Sequence, residues 1–135
     1  KWVIGSGIHE AAQAGDLTRV RALLAVEPAL AKRCDLRHPQ TPLHLAAVEG
    51  NVPLAELLLL HGADIDAIDP TTGRTPLHLA AHYGHRQMIR FLLSRGANRS
   101  VYDLGGLTPL QVAEHAQKLA VAELLLQGMD EATKD

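Results

Sequence analysis

The sequence predicts an all-α solenoid, a row of helix pairs stacked about one continuous core. Three observations predict it. First, a seven-residue phrase recurs unchanged, as Thr41-Pro42-Leu43-His44-Leu45-Ala46-Ala47 and, 34 residues on, as Thr75-Pro76-Leu77-His78-Leu79-Ala80-Ala81. It returns worn, 33 residues later, as Thr108-Pro109-Leu110-Gln111-Val112-Ala113-Glu114, and a fainter version opens the series as Ser6-Gly7-Ile8-His9-Glu10-Ala11-Ala12. Self-similarity at such a period marks a chain of stacked supersecondary units. Second, each phrase is followed by apolar residues at helical spacing, such as Leu17, Val20, Leu23 and Leu24. Third, the 135 residues are 47% apolar but only 3% aromatic, which suits Leu, Ala, Val and Ile between closely approaching helices rather than an aromatic-rich sandwich.

Taken in order, residues 1–5 read as a lead-in, with Trp2 either packing on the first helix or left dangling. Ser6 is placed to cap that helix, and Gly15 to end it. Asp16-Leu17 opens a second helix through Leu24, and Ala25 to Arg33 is a longer exit containing Pro28. Glu10 stands where later copies carry Leu45 and Leu79, so this unit, about 6–34, reads as an end unit with one wet face. In the second unit, about 35–68, Thr41 caps and Pro42 fits the first helical position, where a missing N–H costs nothing. Glu49-Gly50-Asn51 is the turn, Leu54, Leu57, Leu58 and Leu60 point inward, and Gly62 stops the second helix. The third unit, about 69–102, has its turn at Asp69–Thr75, a break at Gly84-His85, and a core of Met88, Ile89, Phe91, Leu92 and Leu93. The fourth, about 103–128, keeps the phrase but places Gln111, Glu114 and Gln117 where a His, an Ala and a helix-breaking Gly stood. It reads as a C-terminal cap with a polar outer side, its second helix running from Leu119 to Leu126, and 129–135 reads as a frayed, flexible tail.

The two intact copies of T-P-L-H-L-A-A carry a resemblance to the ankyrin-repeat family over roughly Ser6 to Gly128. The resemblance implies helix-turn-helix units joined by β-hairpin-like turns that project sideways, giving a concave face. It also implies that His9, His44 and His78, one position in successive units, hydrogen-bond near the turns and tie neighbours together. His85 then sits at the family's usual Gly-His break.

Other chemistry finds little footing. A net charge of -2 supplies no global basic field to attract nucleic acid or anionic lipid. No apolar run approaches the length needed to span a bilayer. One cysteine, Cys34, cannot form an internal disulfide, so a reducing, cytoplasmic or otherwise intracellular setting is the simpler reading. Lys1 in place of Met reads as a trimmed chain or an excerpt of a longer one. Among eight histidines, His78 and His82 stand at i, i+4 and His82 and His85 at i, i+3, yet neither an HExxH glutamate nor a Cys pair completes a zinc set. Cys34 and His38 are spaced for a thiol–imidazole pair, but no motif announces an orienting group or an oxyanion site. Neither phosphate-binding glycine motif is present. The expectation is therefore a non-enzymatic scaffold without metal or cofactor.

What remains is a surface. Cys34, Ile68 and Tyr102 each precede the Asp that opens a turn. The resemblance implies that this position, the turn positions Arg37, His38, Gln40, Thr71, Thr72, Arg74, Leu104 and Leu107, and the first-helix ends vary on the concave face. Those ends are Val48-Glu49, His82-Tyr83 and His115-Ala116. Aromatic and Arg side chains anchor interfaces best, so Tyr83, Tyr102, Arg74 and Arg37 lead the expected partner-binding set. The expected partner is another protein, met by a monomer.

Overall fold

In the computed structural model, residues 2–34 and 39–134 are described, with side chains for 7–34 and 39–127. Among the described residues there are eight α-helices, one short 3₁₀ helix and no strand. The helices are α1 (Trp2–Ala14), α2 (Leu17–Val26), α3 (Pro42–Glu49), α4 (Val52–Leu60), α5 (Pro76–Tyr83), α6 (Arg86–Ser94), α7 (Pro109–His115) and α8 (Leu119–Lys134). They form four consecutive pairs. First helices stack in series, α1 on α3, α3 on α5 and α5 on α7, and second helices likewise meet across units.

Local chemistry sets these boundaries. Thr41, Thr75 and Thr108 sit in extended backbone, and each side chain accepts the N–H of the residue three places on. That residue, His44, His78 or Gln111, returns an acceptor to the threonine N–H, completing a capping box with proline just inside. Asp16 and Asn51 cap α2 and α4 with the side-chain acceptor alone, each taking the N–H three residues on. Gly50 and Gly84 end α3 and α5 in the left-handed region. Gly50 is needed for a second reason: a Cβ there would lie 2.7 Å from His85 Nδ1.

The core is a single aliphatic strip. Ile8, Leu24, Leu43, Leu54, Leu58, Leu77, Met88, Ile89 and Leu92 are buried along it, with the alanine pairs Ala11-Ala12, Ala46-Ala47 and Ala80-Ala81 letting first helices approach closely. Phe91 and Leu93 pack at its margin. Residues 28–32, in the exit of the first unit, form the 3₁₀ helix and bury Leu30 and Ala31.

Four expectations are corrected. Helix α1 already begins at Trp2, so Ser6 lies within it rather than capping it. Leu60 is 74% exposed, because a helix rotating about 100° per residue cannot turn four consecutive leucines inward. Helix α8 continues to Lys134, past the expected stop at Leu126. The outer side of the fourth unit is not uniformly polar either, since Leu119 is 71% and Leu126 49% exposed.

Candidate functional site

Between the units run tight turns that position the expected binding residues. In the third unit, Asp69 N–H donates to the Arg74 carbonyl (2.9 Å) and Gly73 N–H to the Asp69 carbonyl. The Asp69 Oδ1 then accepts both the backbone N–H and the hydroxyl of Thr71 (2.8 and 2.7 Å). Burial alone would raise the Asp69 pKa, but these bonds and one from the Gln40 side chain outweigh it and hold the carboxyl below its ordinary range. Asp103 repeats the arrangement one turn later. It is buried, yet the N–H groups of Leu107 and Gly105 and the Arg74 guanidinium keep its carboxyl below the ordinary range. Neighbouring turns are joined directly, Leu104 N–H donating to the Thr72 carbonyl at 2.9 Å. Gly73 (φ 73°) makes that approach possible, because a Cβ would meet the Leu104 nitrogen at 2.7 Å.

The histidine series fastens turns to helices. His44 Nδ1 accepts the Thr41 N–H, so its proton resides on Nε2, which donates to the Arg74 carbonyl of the next unit at 2.9 Å. His78 does the same to Leu107, and His9 Nε2 donates to Gln40, each at 2.9 Å. The accepting carbonyl always belongs to the residue just before the next capping threonine. Burial pushes the pKa of both His44 and His78 below the ordinary histidine value, despite the accepting carbonyls and a nearby Asp. His85 makes a fourth cross-unit bond, Nε2–H to the Val48 carbonyl at 2.7 Å.

Against this frame the expected partner-binding residues separate into groups. Ile68, Tyr83, Tyr102 and Leu104 are 55%, 49%, 68% and 73% exposed, large apolar side chains left facing solvent. Glu49, Thr71, Thr72 and His115 are exposed, while Val48, His82, Leu107 and Gln40 are half-buried. His82 lies edge-on to the Tyr83 ring, centroids 4.8 Å apart. Arg74 is engaged rather than free, its Nε donating to Asp103 Oδ2 at 3.2 Å. Arg37 and His38 lie outside the described residues, and so does the Cys34–His38 pairing; Cys34 itself is exposed.

Gln40, Thr71 and Thr72 are brought together in a groove of about 380 Å³ between the turns and the first helices. Its other walls, His9, Gln13, Leu45, Pro39 and Asp69, were not among the expected binding residues. The signal for Gln13 was present: it stands four residues after His9 and so shares its helix side. Among the described residues no group of three or more His, Cys, Asp or Glu could hold a metal ion. No helix among them is long and apolar enough to cross a membrane.

A family model described as "Ankyrin repeats (3 copies)" matches residues 6–69 and 50–135, nearly the whole chain. The chain belongs to the ankyrin-repeat family. Relatives of this ankyrin-repeat chain include the probable E3 ubiquitin-protein ligase XBOS31 of Oryza sativa subsp. japonica, 39% identical over 61 residues, or 45% of this chain and 14% of the relative. The E3 ubiquitin-protein ligase XB3 of the same organism is 42% identical over 59 residues, 44% of this chain and 13% of its own length. The E3 ubiquitin-protein ligase XBAT33 of Arabidopsis thaliana is 36% identical over 63 residues, 47% of this chain and 12% of the relative. The matches thus span about one seventh or less of these relatives.

Proposed function

We propose that this ankyrin-repeat chain is a non-enzymatic binding module whose concave face, built from turn tips and first-helix ends, grips another protein. The observation that carries the reading is the set of large side chains left exposed there, Tyr83 at the end of α5 and Ile68, Tyr102 and Leu104 at turns that backbone hydrogen bonds hold in register. A protein surface that displays bulky apolar and aromatic groups on a rigid frame is suited to act as an interface. Gln40, Thr71 and Thr72 border the groove between turns and first helices and supply polar contacts, and the reading also includes Val48, Glu49, His82 and His115 at the first-helix ends and Leu107 in the last turn. Arg74 contributes mainly by fixing its turn, since its guanidinium is shared with Asp103. The reading includes no catalytic step, because His9, His44, His78 and His85 are committed to cross-unit bonds. The module acts as a monomer in an intracellular setting, where the exposed Cys34 stays reduced.

Affinity capture from the native cell, compared with a Tyr83→Ala/Tyr102→Ala variant by quantitative mass spectrometry, tests this. Loss of about tenfold or more of a captured protein is the expected outcome for interface anchors. Capture that is unchanged by the double substitution would overturn the assignment of this face. A second reading, in which the repeats are the recognition segment of a larger ubiquitin ligase, is favoured by the names of the relatives. It requires that ubiquitination of the captured protein depend on Tyr83 and Tyr102.

A further inference from the structure

The C-terminal end of the stack carries a second groove, about 370 Å³, separate from the turns. Helix α8 lines it with Leu119, Ala122 and Leu126, at i, i+3 and i+7 on one side, and helix α7 with Leu110. Two carboxylates, Glu114 on α7 and Glu123 on α8, border this apolar floor; both are exposed, and neither has an ion-pair partner among the described residues. The surface continues an established interface. In the preceding unit the counterparts of Leu110 and Ala122, Leu77 and Ile89, are buried in the stack where α5 meets α7 and α6 meets α8.

What could cover it is limited by two departures from the inner units. Glu114 stands where Ala47 and Ala81 are fully buried, so another alanine-faced unit could not seat at the inner spacing without burying an unpaired carboxylate. Leu119 stands where the third unit has the exposed Arg86, which widens the apolar floor toward the start of α8. Symmetric pairing of two copies through this end would bring four carboxylates together, a like-charge juxtaposition that disfavours it. A single helix laid along the groove meets neither obstacle: its apolar side covers the leucines while flanking cations pair with Glu114 and Glu123.

We infer that the groove between α7 and α8 docks an amphipathic helix of another protein whose apolar stripe is bordered by lysine or arginine, a helix-in-groove mode of recognition. The partner is selected by charge as much as by grease, so the interaction weakens with salt.

Fluorescence anisotropy on the full chain tests it, with a labelled synthetic amphipathic helix carrying leucines at i, i+3, i+4 and i+7 bordered by lysines as probe. A second probe replaces the lysines by glutamates. The lysine probe is expected to bind in roughly the micromolar range, and the glutamate probe at least about tenfold more weakly. Leu119→Ser with Leu126→Ser, and separately Glu114→Gln with Glu123→Gln, each weaken the lysine probe by about tenfold. Val26→Ser, at the exposed end of α2 in the first unit, leaves its binding unchanged and marks the effect as local. All four substituted leucine and glutamate positions are exposed, and matching thermal melts verify that the variants fold. Failure of the lysine probe to bind, equal binding of the two probes, or indifference to either double substitution overturns the inference. So does sedimentation showing that the chain itself dimerises through Leu119 and Leu126.

Discussion

At the scale of single residues, the buried histidines and aspartates make stability depend on acid in a specific way. In the folded chain His44 and His78 bind protons less readily than at the ordinary value of 6.5, because burial disfavours the imidazolium. The unfolded chain therefore binds more protons as pH falls, and the stability that these two residues contribute is complete above 6.5 and declines below it. Asp69 and Asp103 also lie below their ordinary value of 3.8, so their contribution holds above 3.8 and is lost as pH falls further. Urea midpoints should thus decrease from about pH 7 to about pH 5, and decrease again in stronger acid. His44→Gln with His78→Gln should flatten the first slope; a slope as steep as the parent's would contradict the assignment. The repetition made these histidines visible in the sequence, and the family resemblance implied their role. The engagement of Arg74 was not visible. Its partner Asp103 is 29 residues away in the next turn, and nothing in an alignment of units tells a side chain that projects outward from one that reaches sideways.

At the scale of elements, the helix ends were the most legible feature, because threonine, proline and glycine act locally. One exception is the end of α7. There Gln117 adopts φ 60° at the position that Gly50 and Gly84 fill in the inner units. A side chain in left-handed backbone costs roughly 1–2 kcal/mol, partly offset in the substitution by the greater freedom glycine has when unfolded. Gln117→Gly should therefore stabilise the chain by about 0.5–1 kcal/mol in a urea melt. No gain would mean that Gln117 makes a compensating contact. Elsewhere local rules lose authority. Ser6 has the chemistry of a cap, but α1 starts at Trp2, so cap chemistry alone did not locate the helix start. The run Leu57 to Leu60 exceeds the apolar arc of its helix, and hydrophobicity alone could not say which leucine would be turned out.

At the scale of the whole molecule, stability comes from neighbours covering one another, as expected of a stack in which each unit touches only the next. Leu77 is 1% exposed in the third unit, where α5 packs against both α3 and α7. Leu77→Ala should cost about 2–5 kcal/mol, read as a lowered urea midpoint, and an unchanged midpoint would refute the packing. The repeat architecture was legible throughout, because its signal is distributed over the chain. The two grooves were not: each is made by residues of separate elements, and several of their walls, Leu45 and Leu119 among them, look like ordinary core or helix positions in a linear reading. Three of the four cross-unit histidine bonds point the same way along the stack, while the fourth, from His85, runs back to Val48 of the preceding unit. His9, His44 and His78 each donate an N–H forward to a carbonyl in the turn of the following unit, so the histidine of every such unit depends on what comes after it for an acceptor. A severed link would leave water-tolerant oxygen on one side of the break and a stranded imidazole N–H on the other. Gln111 relieves its own unit of that dependence, keeping the threonine cap through Oε1 while its amide nitrogen is left to solvent.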